Sequence, residues 1–365
     1  MMCLVVIGLP MACALNSQGT EYAGWAVGAP ASADGPATIL KSIDSGLSWT
    51  QQGNAQMAGV TMLGVHAVDA NTAWVAGTGG AIYHTTDGGL IWNQMASATQ
   101  VSTAGLQKVT TFGDSSVWAV GSGVILHSGD SGATWTNQLP ADYAGVSFQG
   151  ISTPDGVNVW ATGSSATDGH ATILKSSDGG LHWTRQSDVK GLDQILDVSS
   201  VNATTAWVIG SNGAPLAWTI LATTDGGDTW TEKSHSTGDG NGVCAVDAST
   251  VWAVTDNNTQ WSTDGGATWS DTKTQAYTMG ICAIDAQTAW AVSAAGSGAI
   301  QWTTDGGQTW GTQTLLDGGE PIPALFTVSF VAVPEPSSAA LLALLASALA
   351  LARSRRAHQA GTDNG

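Results

Sequence analysis

The sequence predicts an all-β fold, a seven-bladed β-propeller of four-stranded antiparallel blades, and three observations carry that prediction. An eight-residue phrase recurs seven times, most clearly as T-T-D-G-G-Q-T-W over Thr303–Trp310. A second phrase of the W-A-V-G type recurs on the same beat. The composition, with 47 Gly, 17 Trp and only 10% charged residues, describes short apolar strands punctuated by tight turns.

The phrase places its aspartates at Asp44, Asp87, Asp130, Asp178, Asp225, Asp264 and Asp305. Each copy has Ser or Thr first, Asp third, Gly fifth and Trp eighth, the last being Trp49, Trp92, Trp135, Trp183, Trp230, Trp269 and Trp310. The Asp-to-Asp intervals are 43, 43, 48, 47, 39 and 41 residues. That spacing suits four short strands with tight connections, the size of one propeller blade. The W-A-V-G phrase supplies Trp25, Trp74, Trp118, Trp160, Trp207, Trp252 and Trp290, so the two phrases hold 14 of the 17 tryptophans.

Each unit reads as four strands in order. Strand one is the V-x-A-V-D stretch, as in Val65–Asp69, closed by a D-A-x-T turn. Strand two carries W-A-V-G. Strand three precedes the Asp phrase, as in Ala81–His84, and strand four begins at the phrase's Trp, as in Trp135–Gln138. The first unit has no strand one ahead of Trp25, whereas an unclaimed β-rich run, Phe326–Val331, follows the last phrase. We therefore expect residues 326–331 to pair beside the Trp25 strand and close the ring.

The phrase itself suits a turn between strands three and four. A short carboxylate accepts N–H bonds from residues just ahead of it. The fifth-position Gly is expected at positive φ. The residue after Asp looks less constrained, because Ser45 and Ser131 replace Gly there. Trp is the apolar payload: burying an indole removes on the order of 150–250 Å² from water, at most about 4–6 kcal/mol. A single four-stranded sheet cannot bury both faces, so neighbouring units must stack.

The phrase S/T-x-D-x-G-x-T/S-W resembles the Asp-box, or BNR repeat, of sialidases and related propellers. Its W-A-V-G companion makes the chain look closer to the photosystem II assembly factor type, over about Glu21 to Val333. The resemblance implies that the Asp-boxes are structural and lie on the face opposite the usual binding site.

Composition excludes several activities. A net charge of −18 with 10 Lys and Arg in total leaves no basic footprint for nucleic acid. Sialidase chemistry needs clustered arginines to clamp a substrate carboxylate, and ahead of the C-terminal tail there is only Arg185. Another glycoside hydrolase would need two carboxylates facing a cleft, and no pair stands out. The histidines lack metal-ligand spacing, and no phosphate loop opens a helix. No catalytic residue, metal or cofactor is assigned. The candidate ligand face consists of the loops opposite the Asp turns, with Asp142, Tyr143, Asp168, His170, Lys190, Asp193, His235 and Tyr277; Asp34, Asp188, Asp239 and Glu320 lie in the same set of loops and links. The expected function is a non-enzymatic, monomeric binding or scaffold module for a protein or glycan, the alternative being a glycan-cleaving enzyme on the same scaffold.

Both ends carry export features. Residues 1–18 form an apolar leader with Ala12-Cys13-Ala14 as an A-x-A site, although a basic n-region is missing. The propeller is expected over 19–333. Pro334, Glu335 and Pro336 then lead into an apolar run, Ala339–Ala352, followed by Arg353, Arg355 and Arg356. This order, over 334–356, resembles the PEP-CTERM sorting signal. The resemblance implies processing by an exosortase at the inner membrane and delivery to the surface or extracellular matrix of a Gram-negative cell. A polar tail occupies 357–365. Cys244 and Cys282 hold matching places in two repeats and are expected to be small buried residues that do not face each other.

Overall fold

The computed structural model describes residues 21–333 other than 96–97, 99–101, 166–168, 187–188, 190–191, 214–215, 257, 275–276, 295–297 and 318–319. The leader, the sorting-signal residues, Asp168, Asp188 and Lys190 lie outside the described residues. Residues Tyr22–Ala332 form one compact unit with seven four-stranded antiparallel sheets, six of them consecutive meanders. The inner strands of blades II to VII are Met62–Ala67, Leu106–Phe112, Val146–Ser152, Gln194–Ser200, Gly240–Ala245 and Thr278–Ala283. Blade I is closed as expected: Leu325–Ala332 pairs antiparallel with Tyr22–Gly28, setting Ser329 opposite Trp25. The first and last segments of the propeller are thereby joined in one sheet.

The core is divided into seven clusters, each filling the wedge between adjacent blades. At the centre of each wedge lies a W-A-V-G indole, all seven of them at most 2% exposed. The phrase tryptophans are the less buried set, with Trp49, Trp230, Trp269 and Trp310 half-buried. The larger payload therefore belongs to the second phrase. The two sets meet across the wedge. Trp74 of blade II stands edge-to-face on Trp135 of blade III, with centroids 6.3 Å apart, and the pairs Trp160–Trp230, Trp207–Trp269 and Trp252–Trp310 repeat the arrangement. Edge-to-face geometry sets the positive ring edge against the negative face. Within each blade, the residue before the phrase lies opposite the same indole. His84 and His127 stack on Trp74 and Trp118, and Lys41 and Lys175 place their ammonium groups over Trp25 and Trp160.

The turn explains the spelling of the phrase. Asp130 Oδ1 accepts from the Thr134 N–H at 2.8 Å, and Oδ2 accepts from the Thr134 hydroxyl at 2.6 Å. The Ser128 hydroxyl donates to Asp130 Oδ1 at 2.8 Å while its oxygen accepts the N–H of Gly132 at 2.9 Å. The first-position hydroxyl is thus as much a part of the turn as the carboxylate. Strand four starts one residue after Trp, which still belongs to the turn.

Gly132 has φ +83, and a Cβ there would sit 2.5 Å from Met95 Sδ and 2.9 Å from the Trp74 ring. Glycine at position five is required for the backbone in every copy and, at Gly46, Gly132, Gly227 and Gly266, also for the approach of the preceding blade's indole; Gln52 and Gln138 fill that space at Gly89 and Gly180, and Trp261 at Gly307. The expectation for position four needs correcting. The residue after Asp is also left-handed, and Ser45 (φ 60) and Ser131 (φ 55) hold that conformation without being glycine. The constraint is equal at that position; the two serines simply bear its cost.

Replacing Ser131 by Gly should therefore raise unfolding stability by about 1 kcal/mol, whereas Gly132→Ala should cost at least about 2 kcal/mol. Urea unfolding followed by tryptophan fluorescence reads both. Equal stabilities for the two variants would contradict this account of the turn.

Candidate functional site

The Asp turns and the D-A-x-T turns share one face, because strands one to two and three to four reverse at the same end of each meander. Their carboxylates are occupied. The Thr134 side-chain and backbone bonds hold Asp130 down at about 2. The His182 backbone, the Thr268 hydroxyl and the Thr309 hydroxyl are the leading causes that bring Asp178, Asp264 and Asp305 to about 2. These hydrogen bonds hold the acids ionised and fixed within the turn, the opposite of the raised pKa a general acid needs.

The other face surrounds the mouth of the central channel, a cavity of about 360 Å³ lined by the seven inner strands. Every inner strand carries a β-bulge near its start. The extra residues are Phe326, Leu63, Gln107, Gln149, Leu196, Asn241 and Met279 in blades I to VII, and all seven line the cavity and are half-buried. A bulge leaves one residue out of the ladder and re-aims its side chain. Here that device, repeated around the ring, turns seven side chains into the mouth.

The position after each bulge decides what fills the channel. Glycine occupies it in blades II, IV, VI and VII, as Gly64, Gly150, Gly242 and Gly280. A Cβ at Gly64 would lie 2.8 Å from Lys108 Cα, and one at Gly280 would lie 2.6 Å from the Phe326 carbonyl oxygen. In blades III and V the same position holds Lys108 and Asp197. These two meet as an ion pair past blade IV, where Gly150 has no side chain to block them. Asp197 also accepts the Val198 N–H at 2.8 Å and the Val243 N–H at 3.2 Å, so its charge is bonded from three directions.

Opposite each W-A-V-G indole, the inner strands carry Ser329, His66, Thr110, Ser152, Ser199, Cys244 and Cys282. Five of these side chains accept an N–H from the next blade's inner strand: Ser329 from Ala67, Ser152 from Ser200, Ser199 from Ala245, Cys244 from Ala283 and Cys282 from Phe330. Edge N–H groups that would otherwise face the channel unpaired are thereby satisfied. Cys244 and Cys282 are free, half-buried thiols that each pack against an apolar cluster, as expected, but they also line the channel wall and interact directly, against the expectation that they do not face each other. Side chains that point in one sense around the ring still come into reach where the strands converge on the axis. Burial, with the Lys108 charge adding to it, pushes the His66 imidazole down to about 4.

The sequence-predicted ligand residues sit away from this channel, and none of those described lines it. Asp142 and Tyr143 belong to the short 3-10 turn Ala141–Tyr143, and Tyr143 packs on the wedge between blades III and IV. His170 is exposed at the start of a third strand. Asp193 accepts the Gly213 N–H at 2.7 Å. His235 lies within the outer strand Thr231–Thr237 rather than in a link, paired with Glu232 at 2.6 Å. Tyr277 is 59% exposed with φ 56 just ahead of the blade VII inner strand. The structure does not gather these residues into one constellation. The mouth residues were missed, although a signal was present: L-G-V-H, Q-G-I-S, N-G-V-C and M-G-I-C place each bulge residue just before a repeated glycine.

Residues 56–146 match the family model described as photosynthesis system II assembly factor YCF48. Among solved structures, the chain is similar to YCF48 bound to D1 peptide, at 17% identity over 81% of this chain and 90% of that one, with a TM-score of 0.57. It is also similar to YCF48 from Cyanidioschyzon merolae, at 19% identity over 70% and 85% with a TM-score of 0.53. A GH74 xyloglucanase from Xanthomonas campestris shares 14% identity over 86% of this chain and 53% of that one, with a TM-score of 0.57. At these identities the likeness is one of propeller fold. No curated protein matches the chain.

Two measurements test the channel. An imidazole titrating near 4 in the fold and at 6.5 when free takes up its proton preferentially in the unfolded chain. Its stabilising contribution is full above 6.5 and is lost as pH falls from there toward 4. The urea midpoint should drop across that window, and His66→Gln should flatten the drop. Lys108→Met should cost about 3–5 kcal/mol by leaving Asp197 uncompensated, and adding Asp197→Asn, which removes the charge but keeps an acceptor oxygen for the N–H groups it serves, should recover much of it. A double variant as weak as the single would contradict the pairing.

Proposed function

We propose that this chain is an exported, non-enzymatic propeller that binds a protein or glycan through the face opposite its Asp turns, with the channel mouth at the centre. The observation that carries the reading is the bulge repeated in all seven inner strands, which presents seven half-buried side chains to one opening. Glycoside hydrolysis needs two carboxylates about a cleft, and Asp197 is the one carboxylate among the described lining residues, already engaged with Lys108. The similar structure of YCF48 with D1 peptide supports a protein ligand on this architecture.

Export rests on the chain ends. The PEP-CTERM-like order of Pro334, Glu335 and Pro336, the apolar run and Arg353, Arg355 and Arg356 implies exosortase processing and a surface or matrix destination. The arginines stay on the cytoplasmic side during transit, and the propeller lies on the other.

One experiment addresses both parts. Wild-type protein should appear at the cell surface and retain matrix polysaccharide or protein without releasing reducing ends. Alanine at Pro334, Glu335 and Pro336 should leave it in the membrane fraction. Reducing ends released by wild type, and abolished by a carboxylate substitution on the mouth face, would establish the glycan-cleaving enzyme instead.

A further inference from the structure

The seven mouth residues are not distributed evenly. Met279, Phe326 and Leu63 come from consecutive blades VII, I and II and form an apolar arc. Gln107, Gln149 and Asn241 come from blades III, IV and VI and supply side-chain amides on the other side, with Leu196 of blade V the one apolar residue among them. Asn241 donates to Asp256 at 3.2 Å and to the Thr278 carbonyl at 2.9 Å, which leaves its amide oxygen as an acceptor. Charge in the described lining is confined to Lys108 and Asp197, which neutralise each other, and His66 is uncharged at neutral pH.

We infer that the mouth takes an extended, uncharged peptide segment that places one aliphatic or aromatic side chain against Met279, Phe326 and Leu63 and pairs its backbone with Gln107, Gln149 and Asn241. The inference rests on the reading that this face binds, and it names the class of ligand.

Carboxamides carry both donors and acceptors, so Gln107 and Gln149 can meet a peptide N–H and C=O together. The Met279 thioether is adaptable and tolerates side chains of different shape. A charged ligand group would be buried with no free partner, because a carboxylate reaching Lys108 must displace Asp197, and an ammonium must displace Lys108. A cavity of about 360 Å³ holds one side chain with its flanking backbone, whereas a helix roughly 10–12 Å across would not enter. A neutral glycan would want flat aromatic platforms and a dense polar lining, and the described mouth ring offers one aromatic residue, Phe326, set between two aliphatic neighbours.

The test is selection of a random linear peptide display library on the full-length protein, followed by fluorescence polarisation of the enriched peptides and a parallel neutral-oligosaccharide array. Enriched peptides should carry a central Leu, Ile, Met or Phe flanked by uncharged residues. Met279→Ala and Phe326→Ala should each weaken them roughly ten-fold or more, with Gln149→Ala also weakening them and Asp142→Ala leaving them within about two-fold. Thermal unfolding checks that the variants fold, and Gln149→Ala, at a half-buried amide, is the variant least dependent on that check. Enrichment of charged peptides, no enrichment at all, or oligosaccharide binding lost in the mouth variants would overturn the peptide class while leaving the face in place. Binding that ignores every mouth variant but falls with substitutions in the outer links would overturn the location as well.

Discussion

The ring depends on the seating of one indole from each blade against the Asp turn of the next. The turn must fold first in a logical sense. The Asp carboxylate and the first-position hydroxyl hold two successive residues left-handed, and the resulting bare glycine surface admits the preceding blade's indole. A side chain at Gly132 would strike Trp74, and one at Gly46 would come within 2.7 Å of Trp290 Nε1. Local hydrogen bonding and long-range packing are therefore the same constraint seen from two sides. Stability in such an array is close to a sum of nearest-neighbour terms, and closing blade I with Leu325–Ala332 gives every blade two neighbours.

Closing a ring creates a second problem at its axis, where seven strand edges face inward. Serine and cysteine positions opposite the buried indoles answer much of it by accepting N–H groups from the adjacent blade. The remaining space is managed by glycine after the bulge in four blades, by Thr327 in blade I, and by Lys108 and Asp197, which neutralise each other, in the other two. An uncharged channel with an apolar arc and an amide arc follows from these substitutions, not from the repeat itself. Fold and function separate here. The features common to all blades build the scaffold, and the features that differ between blades give the mouth its chemistry.

The resemblances fit that division. A likeness to YCF48 structures and to a xyloglucanase at 14–19% identity spans a peptide complex and a glycan-cleaving enzyme on one architecture. This chain is acidic, has a single arginine ahead of the tail and carries one carboxylate among the described channel residues. Arg185 belongs to the short outer strand Thr184–Arg185 of blade IV, away from the channel lining.

Much of the architecture was legible without coordinates. Blade number, strand order, the turn between strands three and four and the terminal strand that closes blade I all follow from periodic spacing, because each depends on residues close together in the chain or on an element left over in the count. The candidate site was not legible in the same way. Residues such as His235 and Tyr277 stood out by chemistry, yet chemistry does not reveal which segments point at the axis. The bulges at Leu63, Gln149, Asn241 and Met279 depend on how each inner strand pairs with its neighbour. The meeting of Lys108 with Asp197 depends on an intervening blade that carries glycine. Sequence alone determined the repeated local turns and the indoles that must be buried. Only the closed ring decided which side chains converge, because convergence is set by the curvature of seven packed sheets and not by spacing along the chain.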